Sequence, residues 1–189
     1  AWRHAKDPQP IATGAGGSPW SRLGDMLAAD LDVPIGFISV GVGATRVDQW
    51  IPGAQYYSRI ASALRATEPT GFRAILWHQG ESDSLVPTSP DTYAMRLESV
   101  IDQTREDAAW NIPWGIAIVG FHPQSAEPAE ADVRQGQQTV IDTVNNVFQG
   151  PNTDQLGSSY RSDTVHFNSQ GLNEHAKGWL DALYRRFPA

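Results

Sequence analysis

The segment Ala74-Ile75-Leu76-Trp77-His78-Gln79-Gly80-Glu81-Ser82-Asp83 passes from apolar to polar within four residues. Its first half has no polar alternation, the pattern of a strand covered on both faces in a parallel sheet. The second half would be costly to bury, so these polar residues are expected to leave the strand into a cleft. From composition alone, a loop with helix-capping acids fits as well. Comparable strand signals stand at Ile35-Gly36-Phe37-Ile38-Ser39-Val40, at Ile116-Ala117-Ile118-Val119-Gly120-Phe121 and, more weakly, at Val147-Phe148.

Helical patterns lie between these strands. Trp20, Leu23, Leu27 and Leu31 follow Ser18-Pro19, which reads as an N-cap with proline at the first helical position. Tyr57, Ile60, Ala61 and Leu64 form a second stripe. Tyr93, Leu97, Val100, Ile101 and Thr104, opened by Ser89-Pro90, form a third. A fourth runs through Val133, Val140, Ile141 and Val144, with Gly136 as an interruption. The last is the clearest, with Ser169 as cap and Leu172, Ala176, Trp179, Leu180, Leu183 and Phe187 on one face. Strands alternating with helices predict an α/β fold with a right-handed, mostly parallel sheet. In such a sheet ligands bind where loops leave the carboxyl ends of strands. The long irregular stretches are 1–17, 41–55, 79–90 and 150–168. The first is polar and broken by Pro8, Pro10, Gly14, Gly16 and Gly17, and no buried strand precedes residue 35. It reads as a loop entering from an upstream element.

Composition narrows the classes. The chain has 189 residues, 40% of them apolar, with 7 Trp, 6 Phe and 5 Tyr, enough for the core of one domain. A charged fraction of 19% argues against disorder and coiled coil. A net charge of −7 repels phosphate backbones, so nucleic acid is not an expected partner. The absence of cysteine excludes disulfide scaffolds, thiolate metal sites and Cys nucleophiles, and it leaves the compartment open. No apolar run reaches the ~20 residues of a membrane helix, and the opening residues have no signal-peptide core. The five histidines, at 4, 78, 122, 166 and 175, lack zinc-protease spacing, and no Gly-rich phosphate loop is present. Neither a metal nor a nucleotide is therefore expected. Trp50 and Trp77 are candidates for a sugar platform, whereas Trp20 and Trp179 read as core.

Two further loops carry chemistry. Gly41-Val42-Gly43-Ala44-Thr45-Arg46-Val47-Asp48-Gln49-Trp50 follows the strand expected at 35–40. Glycines there let backbone N–H groups approach a ligand, as an oxyanion hole requires; a tight strand-to-loop turn accounts for them equally. Ser162-Asp163-Thr164-Val165-His166-Phe167 places an acid three residues before a histidine. Asp163 can then bond Nδ1 of His166 within one turn, fix its tautomer and leave Nε2 as a general base. Taken alone, a solvated loop pair explains the same spacing.

In combination these blocks are specific. Gly43-Ala44-Thr45 ahead of Trp50, Gln79-Gly80-Glu81-Ser82-Asp83 behind Leu76-Trp77-His78, and Asp163-x-x-His166 occur in the order that resembles the SGNH-hydrolase superfamily. The chain is most similar to its sialate O-acetylesterase-like branch, which includes acetylxylan esterases of carbohydrate esterase family six. Trp2-Arg3-His4-Ala5-Lys6-Asp7-Pro8 is also similar to a segment of relatives. The resemblance covers about residues 2 to 185. It implies a three-layer α/β/α sandwich with a flavodoxin-like sheet, a single domain over 1–189. The implied activity is a serine esterase that removes O-acetyl groups from a sialate- or xylan-type carbohydrate without a cofactor. His166 is then the base and Asp163 its orienter; Gly43 N–H and the Gln79 amide are the oxyanion donors. Glu81 either braces its loop or orients the histidine, and bracing is favoured because Asp163 already supplies an orienter.

Two features depart from the pattern. Ala44 stands where relatives have a second glycine. The family's Gly-Gln-Ser-Asn block, which carries the nucleophile, has no counterpart in this chain. Ser18 fits a helix start, Ser82 lacks the closing glycine of a nucleophile elbow, and Ser39 falls inside an expected strand. The expectation is a domain short of its first strand and nucleophile, supplied by an upstream segment or a second chain. The alternatives are a non-catalytic carbohydrate-binding or structural module on the same fold, and an acyltransferase using the same residues.

Overall fold

Ile75–Trp77 (β1), Trp114–Ile118 (β2) and Val147–Asn152 (β3) form a parallel sheet in the order β1-β2-β3. The computed structural model describes residues 2–13, 16–120 and 122–188. Phe121, at the end of an expected strand, lies outside them, as do Ala1 and Gly14. The chain divides into two compact units, Ala44–Asp154 and Ala1–Gly43 with Gln155–Ala189.

The first of these holds the sheet. Ile75 pairs with Trp114 and Trp77 with Ile116, while Trp114 pairs with Val147 and Ile116 with Gln149. Every residue of the central β2 is buried, which explains its continuous apolar sequence. β3 is longer than Val147-Phe148 and runs on through Gly150 and Pro151; as an edge strand it tolerates a proline that a central strand would not. Tyr57–Ala66 (α2), Pro90–Ala108 (α3) and Glu127–Thr143 (α4) flank this sheet. α3 starts as expected, with Ser89 Oγ accepting from Thr92 N–H at 3.2 Å and Pro90 in the first turn. Gly136 does not interrupt α4. It marks the crossing with α3, where a Cβ would stand 2.8 Å from the Pro90 carbonyl oxygen. Trp50 and Trp77 are no exposed platform: at 3% and 8% exposure they join Trp114 in a buried ring cluster, with centroids 5.7 and 5.8 Å apart.

The other unit is built on Trp20–Leu31 (α1) and Ser169–Arg186 (α5), which pack together. Trp20 touches Trp179 at 6.1 Å and Phe37 at 5.7 Å. The strand expected at Ile35–Val40 is not formed. Among the described residues no strand pairs with this segment, and its side chains are half-buried or exposed rather than buried. Apolar composition signals contact, here of Phe37 with Trp20, but a strand exists only through its ladder. Two caps also differ. Ser18 donates to Asp7 and the residue before α1 is Pro19; α5 is capped by Asn168, whose side chain accepts from Gly171 N–H at 2.9 Å. Ser169 is instead the first helical residue and accepts from Arg22.

Candidate active site

In the unit that contains α1 and α5, the segment before α5 folds back on itself. Arg161 and Phe167 form an antiparallel bridge, Ser162 N–H donates to His166 O at 2.8 Å, and Asn168 N–H donates to Tyr160 O at 2.8 Å. The Arg161 guanidinium lies over the Phe167 ring and donates to the Val165 carbonyl. This hairpin rests on the first turn of α5 at Gly171, where a Cβ would stand 2.2 Å from Tyr160 O.

At the tip of the hairpin, His166 Nδ1 stands 2.8 Å from Asp163 Oδ2. A carboxylate only accepts, so Nδ1 carries the hydrogen and Nε2 keeps the lone pair of the neutral ring. Asp163 Oδ1 accepts from the backbone N–H groups of Val165 at 2.7 Å and His166 at 2.6 Å. The bond from the His166 ring, then those two N–H groups, hold the Asp163 carboxyl well below the usual carboxylate range. Both side chains are open to solvent, 56% for Asp163 and 67% for His166. Gly16 packs beside the imidazole, its ideal Cβ 3.9 Å from His166 Cβ.

Gly43 belongs to the same unit, and its N–H donates to Thr13 Oγ1 at 2.7 Å. The expected oxyanion donor thus already faces an oxygen. Ser18 Oγ and N–H donate to the Asp7 carboxylate at 2.7 and 2.9 Å; burial raises the Asp7 pKa, and these bonds, the one from Gln9 and the charge of Arg22 outweigh it and lower the value.

In the sheet-bearing unit, the loop after β1 is held from several sides. Gln79 Nε2 donates to Thr45 O at 2.8 Å and to Asp83 Oδ2 at 2.7 Å, so both of its hydrogens are engaged. The Gln79 backbone carbonyl oxygen accepts from Tyr93 OH at 2.8 Å and from Gln137 Nε2 at 2.9 Å. Gly80 has φ +149°, and a Cβ there would stand 2.9 Å from Val133 Cγ1 and 3.0 Å from Gln137 Nε2. The Glu81 carboxylate lies 3.5 Å from His78 Nε2, which also stands 3.2 Å from Thr153 Oγ1. Ser82 opens the short helix Asp83–Leu85.

Asp83 carries no role in the sequence reading, yet it is the fully buried acid of this loop. Besides Gln79 it accepts from Val47 N–H, at 3.0 Å to Oδ2 and 3.3 Å to Oδ1. Burial pushes its pKa up to about 6, with Asp48 adding to the rise and the bonds from Gln79 and Val47 and the charge of Arg96 opposing it. Its position four residues after Gln79 is the only signal, and its second partner is 36 residues away. Among the described residues, no cluster of three His, Asp or Glu side chains forms a metal site.

The structure therefore brings Asp163 to His166 in one unit and Gln79 to Asp83 and Thr45 in the other. A probable carbohydrate esterase of Arabidopsis thaliana is 26% identical over 138 residues, 72% of this chain. The chain spans 50% of the length of that curated relative. The crystal structure of the Arabidopsis protein matches with a TM-score of 0.84 at 22% identity, over 99% of this chain and 78% of the other. A carbohydrate acetylesterase from Xanthomonas citri matches with a TM-score of 0.68 at 15% identity, over 88% of this chain and 40% of the other. An SGNH-hydrolase family esterase, AlinE4, matches at 0.59 and 16%, over 94% and 89%. At these identities the structural matches speak to fold, which is that of the SGNH hydrolases. The family model for carbohydrate esterase, sialic acid-specific acetylesterase matches residues 1–185, and the chain belongs to that family.

Proposed function

We propose that this chain carries the base and the oxyanion-binding elements of a serine esterase that removes O-acetyl groups from a carbohydrate of sialate or xylan type. The observation that carries the reading is the 2.8 Å bond between His166 Nδ1 and Asp163 Oδ2, which leaves Nε2 to take a proton. The nucleophilic serine belongs to a segment outside these 189 residues or to a second chain, which also contributes the strand beside residues 35–40.

In this reaction the serine attacks the acetyl carbonyl while His166 Nε2 takes its proton. The oxyanion donors that the family resemblance implies are Gly43 N–H, bonded in this structure to Thr13 Oγ1, and the Gln79 amide, bonded to Thr45 O and Asp83 Oδ2. His166 gives the proton to the departing ester oxygen of the sugar, which leaves as a hydroxyl, then activates the water that releases acetate from the acetyl-enzyme.

The test uses the full-length protein with a fluorophosphonate probe and acetylated sugars. Labelling at a serine, acetate release, and loss of both in His166→Ala are expected. Binding of the sugar with neither labelling nor acetate release would identify a non-catalytic module. Acetyl transfer to a sugar acceptor in excess over hydrolysis would identify an acyltransferase.

A further inference from the structure

We propose that Asp83 is a positioning residue of the esterase site, a buried carboxylate that sets residues 44–50 against the Gln79 amide. The inference rests on the esterase reading above and adds a residue to it.

Asp83 is wholly buried, and its acceptor capacity is directed at two loops. One oxygen takes the Gln79 amide at 2.7 Å, and both lie within bonding distance of Val47 N–H. The other hydrogen of the same amide goes to Thr45 O at 2.8 Å, so Gln79 and Asp83 together hold residues 45 and 47. The rest of that loop is closed on itself. Trp50 Nε1 donates to Thr45 Oγ1 at 3.0 Å, and Arg46 N–H donates to Gln49 Oε1 at 2.9 Å. Removing the Asp83 carboxylate would therefore leave a preformed turn that keeps the Gln79–Thr45 bond to the β1 loop but loses its tie at Val47.

The energetics point the same way. A carboxylate without exposure pays a desolvation cost that two neutral donors offset only in part. The groups around it do not neutralise it at close range. Arg46 is turned to Asp48 at 3.2 Å, Arg96 on α3 acts through space, and Tyr93 on α3, Asp48 and Glu81 add no positive charge. The residue that α4 presents to the cluster is the neutral Gln137. Stability alone would favour an apolar or amide side chain here. What a carboxylate does here is accept from two donors of different loops at once, the Gln79 amide and Val47 N–H, and the esterase site is what needs those loops held together.

Two variants of the full-length enzyme test the role. Asp83→Asn keeps the volume but turns an amide hydrogen toward a donor. Val47→Pro removes the N–H donor and leaves Asp83 untouched. Residue 47 opens a short 3-10 helix and Arg46 before it is extended, at φ −97° and ψ 159°, so proline fits the backbone. In Asp83→Asn we expect kcat for an acetyl ester to fall at least tenfold, KM to change less than about twofold, and hydrogen exchange at Val47 to accelerate at least tenfold. Val47→Pro should lower kcat comparably, and the double variant should lose no more than either alone. A folded Asp83→Asn enzyme with wild-type kcat overturns the proposal and leaves the esterase reading standing. If Asp83→Asn does not fold, Val47→Pro decides, wild-type kcat again being the overturning result. A wild-type protein that neither releases acetate nor reacts with the probe removes the esterase reading and this role with it.

Discussion

Asp163 grips His166 twice, through the ring at Nδ1 and through the backbone N–H, with one carboxylate oxygen for each. The first bond sets the tautomer and the second sets the distance. Asp163→Asn retains an acceptor oxygen but presents an amide hydrogen as well, so the ring can turn over its hydrogen-bonding sense. We expect kcat to fall by a factor on the order of 10³ to 10⁴, with slower fluorophosphonate labelling and little change in KM. Unchanged labelling would remove Asp163 from the machinery.

Thr13 Oγ1 stands 2.7 Å from Gly43 N–H, at hydrogen-bond distance from the donor that an acyl oxygen would require. Thr13→Val removes that oxygen at similar volume. A net hydrogen bond of about 1 kcal/mol no longer has to be exchanged, so kcat/KM should rise about fivefold. A fall instead would mean that the hydroxyl holds Gly43 in place.

The raised pKa of Asp83 makes a stability prediction with a definite sign. The folded protein holds this proton up to about pH 6, whereas the unfolded chain releases it near the ordinary aspartate value of 3.8. Its stabilising contribution is complete below about pH 4 and is lost as pH rises through about 6. The loss amounts to roughly 3 kcal/mol by the usual linkage conversion. The difference in Tm between the wild type and Asp83→Asn should therefore shift in favour of the variant between pH 4.5 and pH 8. Asp48 and Arg96 act on the carboxyl in opposite directions, and removing either should move the midpoint accordingly.

Gly171→Ala tests the support of the hairpin. The new methyl group would meet Tyr160 O and the Phe167 side chain, at 2.2 and 3.0 Å in the unrelaxed geometry. Either the hairpin lifts or the first turn of α5 unwinds. We expect a loss of about 1–3 kcal/mol in urea unfolding, and a displaced His166 ring resonance in the folded protein.

The parts that the sequence made legible are those with local causes. Asp163 and His166 lie within one turn, and α3 and α5 show their buried faces at helical spacing. The parts it hid depend on distant partners. Ile35–Val40 has strand composition but no partner strand among the described residues. β3 extends through Gln149, Gly150 and Pro151, poor strand formers, because β2 pairs with it at Gln149 and again at Asn152 across a register shift. Trp50 and Trp77 stand beside polar loops in sequence and are buried against Trp114 in space. The role of Asp83 could not be read from its neighbours, since Val47 approaches it from another loop.

Gly80 gives the Gln-Gly-Glu block a mechanical meaning. The backbone crosses α4 there with no room for a single methyl group, between Val133 and Gln137. The preceding carbonyl, that of Gln79, is anchored by Tyr93 and Gln137. Any side chain at this position would push on Gln137, and Gln137 would in turn release both the Gln79 carbonyl and the Val119 N–H that its Oε1 accepts at 3.0 Å. The glycine is thus a fulcrum between hydrophobic core and chemistry: enlarging it transmits a disturbance inside the helix layer directly to the amide that faces Asp83.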